Sequence, residues 1–196
     1  MNDKNRQNTA TEKEAEKQTK KMAARSAKEC AYLSAFVALL IVAQLVFSFL
    51  PGVEIVTVSF VAYSLTMGAR RGMVAATAFS LLRQLVFGFF PTVLVLYLIY
   101  FNLLALCFGC IGLKWKAGGK TLPWLVVIAC ACTVCFTLID NVLTPLWYGY
   151  SAKATRAYFF ASLPFMIPQV ICTAVSVIVL LFPLSRVFSY VKKQLF

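Results

Sequence analysis

Long apolar stretches separated by short polar connections make up most of the chain between residues 31 and 184. A helix that crosses the hydrocarbon core of a bilayer needs about 20 mostly apolar residues. By this criterion the pattern predicts six membrane-spanning helices, at residues 31–50, 53–68, 72–90, 92–113, 122–147 and 157–184. We therefore expect an all-α, polytopic membrane protein in which residues 29–193 form one domain of six transmembrane helices.

The segment before the first apolar stretch has a different character. Residues 1–28 are polar and of mixed charge, so we expect a cytoplasmic tail that is disordered or loosely helical. Because this polar start is long, a cleaved signal peptide is not expected. Over the whole chain 61% of residues are hydrophobic and 13% are charged. This composition excludes a soluble domain of the same length and makes lipid the solvent for most of the chain.

Basic residues fall almost entirely on alternate connections between the predicted spans. With both termini in the cytoplasm, sixteen Lys and Arg residues lie on the cytoplasmic side, and only Lys153 and Arg156 lie outside. Arg83 remains within the third span. Because Lys and Arg are enriched in cytoplasmic loops, the bias predicts a multi-pass membrane protein with both termini inside. It also accounts for the net charge of +12 without a nucleic-acid partner.

Polar side chains within the spans converge on one region of the membrane. At a rise of about 1.5 Å per residue, the predicted topology places six candidate binding residues between the middle and the outer surface: Glu54, Arg83, Asn102, Asp140, Asn141 and Gln169. A charge in lipid is costly unless it is paired or lines a wet cavity, so this set predicts a cavity open to the outside. A structural Arg83–Asp140 or Arg83–Glu54 ion pair is the alternative.

The fifth span adds polar and aromatic candidates. One face of it carries polar residues at helical spacing, namely Thr133, Thr137, Asp140, Asn141 and Thr144. For the hydroxyl residues, hydrogen bonding between helices is the favoured interpretation. Trp147 and Tyr148 follow this face directly. An interfacial belt explains many of the aromatic residues nearby, and stacking on a flat ligand ring is the second role expected for Trp147 or Tyr148.

Catalytic and metal chemistry find little support in the sequence. The chain has seven cysteines and no histidine, which removes Ser–His and His–metal sites. Cys107 and Cys110 have C-x-x-C spacing but lie in an apolar stretch, where a small hydrophobic residue needs no further explanation. Gly118-Gly119-Lys120-Thr121 lacks the earlier glycine of a phosphate-binding loop. We expect no enzyme activity, no metal and no cofactor.

The combination of features resembles the substrate-binding S components of energy-coupling factor (ECF) vitamin transporters, over roughly residues 28–193. Ala31-Tyr32-Leu33-Ser34-Ala35 fits the family's Ala-x-x-x-Ala pattern, and Pro51-Gly52-Val53-Glu54 matches the connection after its first helix. The run at 68–91 looks like the region from helix two to helix four of these proteins. The length, the topology and the absence of an ATPase motif agree with the same family.

This resemblance implies a division of labour. S components capture a vitamin or related micronutrient from outside and dock on a transmembrane coupling subunit with two ATP-binding subunits. The resemblance implies that Ala31 and Ala35 meet the coupling subunit, and Ala38 continues that stripe of small residues. It also implies a ligand among helices four to six, with Glu54 near its lid and candidate walls from Asn102, Asp140, Asn141, Trp147, Tyr148 and Gln169. Arg83 is a less typical contact.

Two other classes of function are weighed against this one. A small membrane scaffold or assembly protein would use the polar cluster for structure alone. A secondary transporter acting alone is disfavoured because no internal repeat and no coupling-ion site are evident. The sequence does not identify the substrate, although Arg83 and the amides suit a ligand with an acidic group and the aromatic residues suit a ring.

Overall fold

The computed structural model describes residues 2–47, 55–114 and 120–195, with side chains described from Met22 onward apart from Arg25. Its helices in chain order are α1 Asn2–Phe47, α2 Ile55–Met67, α3 Ala69–Phe87, α4 Pro91–Lys114, α5 Leu122–Tyr148 and α6 Ala152–Leu195. No strand occurs in the described ranges. The all-α prediction is therefore confirmed.

Within the described ranges, four helices are long and apolar enough to cross a membrane: α4, α5, α6 and the part of α1 from Met22 to Phe47. They make this a membrane-embedded protein. Helices α2 and α3 do not meet these criteria of length and apolar character, for different reasons. α2 has 13 residues, about 20 Å of helix against a hydrocarbon core of about 30 Å. α3 has 19 residues but carries three arginines. The six-span prediction therefore depends on α2 and α3.

The short helix α2 lies at the centre of the bundle. Ten of its 13 residues are buried, and it packs against α1, α3, α4 and α6. A glycine of α4 permits this close packing, because a Cβ added at Gly112 would collide with the backbone of Leu65 in α2. A helix enclosed in this way by other helices is shielded from lipid along most of its length.

The helices pack mainly as two antiparallel pairs that α2 joins. α3 pairs with α4 and α5 pairs with α6, while α2 contacts both α4 and α6. α1 lies mainly against α3, and α4 touches α5 over a smaller area. α3 and α5 end, and α4 and α6 begin, at the same end of the bundle. We call it the Pro91 end; in the predicted topology it faces outside.

Aromatic rings form much of the core and connect neighbouring helices. Phe60 of α2 lies 5.4 Å from Phe79 of α3 and 4.8 Å from Phe101 of α4, measured between ring centroids. Tyr100 lies 5.0 Å from Phe101 and 4.8 Å from Phe136 of α5. Tilted and edge-to-face contacts of this kind contribute beyond the area that they bury. They connect α2 through α4 to the fifth helix.

Both terminal helices extend beyond the predicted spans. α1 begins at Asn2, so residues 2–28, expected as a disordered or loosely helical tail, continue the first span as helix. The side of the membrane on which they lie stays a prediction. α6 runs on to Leu195, where Lys192 donates to the Thr66 carbonyl at 2.6 Å and Tyr32 donates to the side chain of Gln194 at 3.3 Å. These bonds connect the end of α6 to α2 and α1.

Candidate functional site

Helix α5 presents three faces, which decide where its polar residues lie. One face is 42–77% exposed and consists of Trp124, Val127, Leu138, Val142 and Leu146. A second is buried against α6 and consists of Leu125, Ala129, Thr133, Thr137, Asn141 and Pro145. The third is half-buried, and on it Phe136 contacts Tyr97 and Tyr100 of α4. Asp140 is one helical turn beyond Phe136 and therefore faces the bundle rather than lipid.

A pocket of about 310 Å³ lies between α5 and α6 in the half of the bundle nearest the Pro91 end. We call it the Asp140 pocket. Its lining consists of Phe136, Thr137, Asp140, Tyr158, Ala161, Ser162, Phe165, Met166 and Gln169. Small-molecule sites have volumes of roughly 300–1,000 Å³ and combine apolar and aromatic walls with a few polar groups. The size and the lining of the Asp140 pocket match that description.

Two hydroxyl groups hold the Asp140 carboxylate in place. Thr144 Oγ1 donates to Oδ1 at 2.8 Å, and the Tyr158 hydroxyl donates to Oδ2 at 2.8 Å. Within the described part of the chain no Lys or Arg forms an ion pair with Asp140. Neutral hydroxyls stabilise a carboxylate but do not cancel its charge. Each oxygen also keeps the capacity to accept another hydrogen bond.

Asn141 and Ser162 form the polar contact behind the pocket. Asn141 is 5% exposed, and its Nδ2 donates to Ser162 Oγ at 2.7 Å. Ser162 Oγ in turn donates to the carbonyl of Phe159 at 2.8 Å. The Oδ1 atom of Asn141 is buried and accepts no hydrogen bond from the described residues. An acceptor left unpaired in this way costs about 1–3 kcal/mol.

Arg83 lies outside the lining of this pocket and serves a different contact. Its Nε donates to Gln44 Oε1 at 2.9 Å, and its guanidinium carbon lies 4.6 Å from the ring centroids of both Phe87 and Tyr97. Gln44 also donates to the Tyr97 hydroxyl at 3.1 Å. These contacts join α1, α3 and α4. Arg83 and Asp140 are both described and form no ion pair with each other; the alternative Arg83–Glu54 pair involves a residue outside the described ranges and stays a prediction.

Three more predicted residues also lie apart from the pocket. Asn102 accepts from Thr77 Oγ1 at 3.3 Å and donates to the Leu98 carbonyl at 2.8 Å, so it belongs to the contact between α3 and α4. Trp147 and Tyr148 are 52% and 59% exposed at the end of α5. Among the described candidates, the structure brings Asp140 and Gln169 into one lining, with Asn141 directly behind it. Glu54 lies outside the described residues.

The sequence contained a signal for the opposite wall of the pocket that our interpretation missed. Tyr158, Ser162, Phe165 and Gln169 follow one another at i, i+4, i+7 and i+11, which is the spacing of a single face of a helix. Only Gln169 was selected as a candidate. Tyr158 was not among the candidates, although its hydroxyl donates to Asp140 in the structure.

A second feature lies at the opposite end of the bundle. Ala31, Ala35 and Ala38 are exposed on α1. Beside them a groove of about 200 Å³ separates α1 from α6, and we call it the α1–α6 groove. Its lining is Glu29, Tyr32, Ala35, Phe36, Leu39, Tyr63, Met67, Arg71, Val187, Phe188, Val191 and Leu195. The Glu29–Arg71 ion pair, at 3.3 Å, borders this mostly apolar surface.

Comparison with protein-family models, with curated proteins and with solved structures finds no match to the chain. The function is therefore argued from the sequence pattern and from the geometry of the two surfaces. Nowhere in the described ranges do three or more His, Cys, Asp or Glu side chains come together in a group that could hold a metal ion. The Asp140 pocket presents a carboxylate, hydroxyls, an amide and aromatic rings to a solute.

Proposed function

We propose that this protein is the substrate-binding S component of an ECF-type ABC importer in the bacterial plasma membrane. It captures a vitamin or related water-soluble micronutrient from outside and delivers it inward after docking on a transmembrane coupling subunit with two ATP-binding subunits. The protein itself performs no reaction, since ATP hydrolysis belongs to its partners. The proposal depends most on one observation, which is an Asp140 carboxylate without an ion pair among the described residues, in a cavity of solute size.

The free-energy cost of placing a charge within the membrane supports a binding role for the Asp140 carboxylate. A charge within a membrane protein is retained where it pairs, or where it faces a wet cavity or a ligand. The partners of Asp140 are two hydroxyls, so pairing does not account for its charge. The cavity that Asp140 lines does account for a charge at this position. In the proposed topology all six helices cross the membrane with both termini inside, and the Asp140 pocket faces outward.

The exposed alanine stripe supports docking on a coupling subunit. Small side chains allow two membrane helices to approach closely, and helix association in lipid depends on such packing. Ala31, Ala35 and Ala38 are exposed, and the α1–α6 groove lies beside Ala35. A helix of the coupling subunit would pack against the stripe, with larger side chains in the groove. Docking and solute capture would then use opposite ends of the molecule.

Solute capture is tested by thermal unfolding of the purified protein with a panel of water-soluble vitamins. We expect at least one compound to raise the unfolding temperature, and Asp140→Ala to weaken its binding by about tenfold or more, equivalent to about 1.4 kcal/mol. Trp147→Ala is the control, because Trp147 is exposed and outside the pocket lining. A panel that leaves the unfolding temperature unchanged would contradict solute capture.

Docking is tested by co-purification with an ECF coupling subunit. Ala35→Leu places bulk on the exposed stripe, so we expect the complex to be lost while solute affinity is retained. Ala131→Leu is the matched control, since Ala131 is an exposed alanine on the lipid-facing side of α5. If both variants co-purify as well as the unmodified chain, the docking surface lies elsewhere.

A membrane scaffold or assembly protein is the second candidate. It is favoured by polar side chains that form hydrogen bonds between helices, namely Arg83 with Gln44 and Asn102 with Thr77. These contacts need no ligand. The scaffold predicts that the Asp140 pocket binds no small molecule at any stage of purification, so the same thermal measurement separates the two functions.

A further inference from the structure

The charge of the Asp140 pocket is set by one side chain. Among its lining residues only Asp140 and Tyr158 are ionisable, and neither Lys nor Arg contributes to the lining. The basic residues closest in sequence on α6, Lys153 and Arg156, are exposed and lie outside the lining. Arg83 is held by Gln44 and two aromatic rings. A solute in this pocket therefore meets a net negative charge.

The hydrogen-bonding groups of the pocket also favour a cation, because they offer more free acceptors than free donors. The hydroxyls of Thr144 and Tyr158 already donate to Asp140, and the Asn141 amide donates to Ser162. The Ser162 hydroxyl donates to a backbone carbonyl. The acceptors are in surplus, because Asp140 belongs to the lining and both of its oxygens can accept further bonds. The Gln169 amide carries both donors and acceptors, so it adds no bias of either kind.

The rest of the lining suits a positively charged group attached to an apolar or flat body. Phe136, Tyr158 and Phe165 contribute aromatic rings, and Met166 contributes a thioether. Aromatic faces attract cations, most strongly where water is excluded. Methionine sulfur adapts to rings of different shape. An anionic solute would find neither a cation nor a surplus of donors here.

We infer that the solute of the Asp140 pocket is an organic cation, either a protonated amine or a ring with a quaternary nitrogen, that donates to or pairs with Asp140. This inference rests on the proposed function, because it names the substrate class of the same site. It replaces the acidic ligand group that Arg83 and the amides suggested in the sequence, since Arg83 and Asn102 lie outside the pocket lining.

Charge-matched ligand sets test the inference on the unmodified protein. Pyridoxamine, pyridoxine and 4-pyridoxate differ mainly in one substituent, as do tryptamine, tryptophol and indole-3-acetate, and thiamine adds a quaternary ring nitrogen. Thermal shift and calorimetric titration are measured for these sets and for a wider panel of cationic, neutral and anionic micronutrients. We expect the strongest binding from cations, with the neutral and anionic members of a bound set at least roughly tenfold weaker.

The possible results separate the two levels of the proposal. If anionic or neutral solutes bind and cations do not, the inference is overturned while the proposed function stands. If no solute of any charge binds, both are contradicted. Because this comparison uses the unmodified chain, it decides the matter even where a variant fails to fold.

An isosteric variant tests the carboxylate directly. Asp140→Asn removes the charge at constant size, and we expect affinity for the bound cation to fall roughly 10- to 100-fold. Asn102→Leu is the control, because it also removes a polar intramembrane side chain but one outside the pocket lining; its affinity should be unchanged. Full cation affinity in Asp140→Asn would overturn the inference.

Discussion

For single residues, the partners of an intramembrane charge decide its role. Arg83 has an amide acceptor and two aromatic rings, and these contacts join three helices. Asp140 has two neutral hydroxyls and faces a cavity. The first arrangement holds the guanidinium group between protein partners, although its Nη1 atom is buried without a hydrogen-bond partner among the described residues. The second leaves a negative charge and open acceptor positions, which is why we assign binding to Asp140 and structure to Arg83.

Replacing Arg83 by lysine separates the contribution of its charge to stability from the contribution of its planar guanidinium group. Arg83→Lys keeps the charge but removes the planar group between Phe87 and Tyr97 and the Nε bond to Gln44. We expect the free energy of unfolding to fall by about 2 kcal/mol, measured by denaturant titration in detergent. Arg70→Lys, at an exposed position, is the control. Equal stability of the two variants would show that the two rings do not hold the guanidinium group.

Replacing Gly109 by alanine tests the close packing around the turn between α2 and α3. The added Cβ has no space beside the backbone of Ala69, so a helix must move. We expect a loss of about 1–3 kcal/mol in unfolding free energy. Cys110→Leu adds bulk at the exposed neighbouring position and should change stability much less. A stable Gly109→Ala variant would mean that α4 lies farther from Ala69.

At the scale of helices, hydropathy predicted the positions of the central helices well, but it did not predict how far the terminal helices extend. The predicted spans 92–113 and 122–147 differ by only one residue at any end from Pro91–Lys114 and Leu122–Tyr148. The first and last helices were underestimated, because hydropathy reports the lipid-facing segment and α1 and α6 continue into polar sequence. Where a helix ends within polar sequence depends on the helix propensity of the local residues and on tertiary contacts. One such contact is the hydrogen bond from Lys192 to the Thr66 carbonyl.

Sequence predicts how deep a residue lies in the membrane but not which neighbouring helix its side chain faces, and this explains which site residues could be predicted. Distance along a helix places Asn102 at the same depth as the other candidates, but depth does not say towards which neighbour a side chain points. That direction depends on the rotation of each helix in its packing. In the structure α4 directs Asn102 towards Thr77 of α3, while α5 and α6 direct Asp140 and Gln169 into one pocket.

The pairing of α5 with α6 includes a hydrogen bond that can be measured. Thr133 and Thr173 lie 3.0 Å apart between hydroxyl oxygens, and both are buried. Bonds of this kind within membrane proteins contribute about 0.6 kcal/mol on average. We expect a double-mutant cycle with Thr133→Val and Thr173→Val to give a coupling energy near that value. A coupling energy of zero would contradict a direct bond between these hydroxyls.

At the scale of the whole molecule, the two surfaces proposed for capture and docking lie at opposite ends. The Asp140 pocket includes Phe136, the α1–α6 groove includes Phe36, and the aromatic core around Phe60 and Phe101 lies between them. Substitutions that alter one surface are therefore expected to leave the other intact. This separation suits a subunit that binds a solute first and meets its partners afterwards.

The orientation of the molecule is tested by labelling single cysteines in intact cells, after replacement of the seven native cysteines by alanine. In the proposed topology a membrane-impermeant maleimide labels Ser151→Cys from outside and labels Lys120→Cys only after the cells are opened. These positions adjoin the two ends of α5. The reverse result would place the Asp140 pocket on the cytoplasmic side and would contradict uptake from outside.

Native mass spectrometry of the protein released from its own membranes tests solute capture most directly. We predict a bound small molecule on the unmodified protein and on Ala131→Trp, whose added ring lies on the lipid-facing side of α5. Ala161→Trp places the same ring in the lining of the Asp140 pocket, so the bound mass should be lost. An unmodified protein without any bound molecule after growth in rich medium, or an Ala161→Trp variant that retains it, would contradict a solute site between α5 and α6.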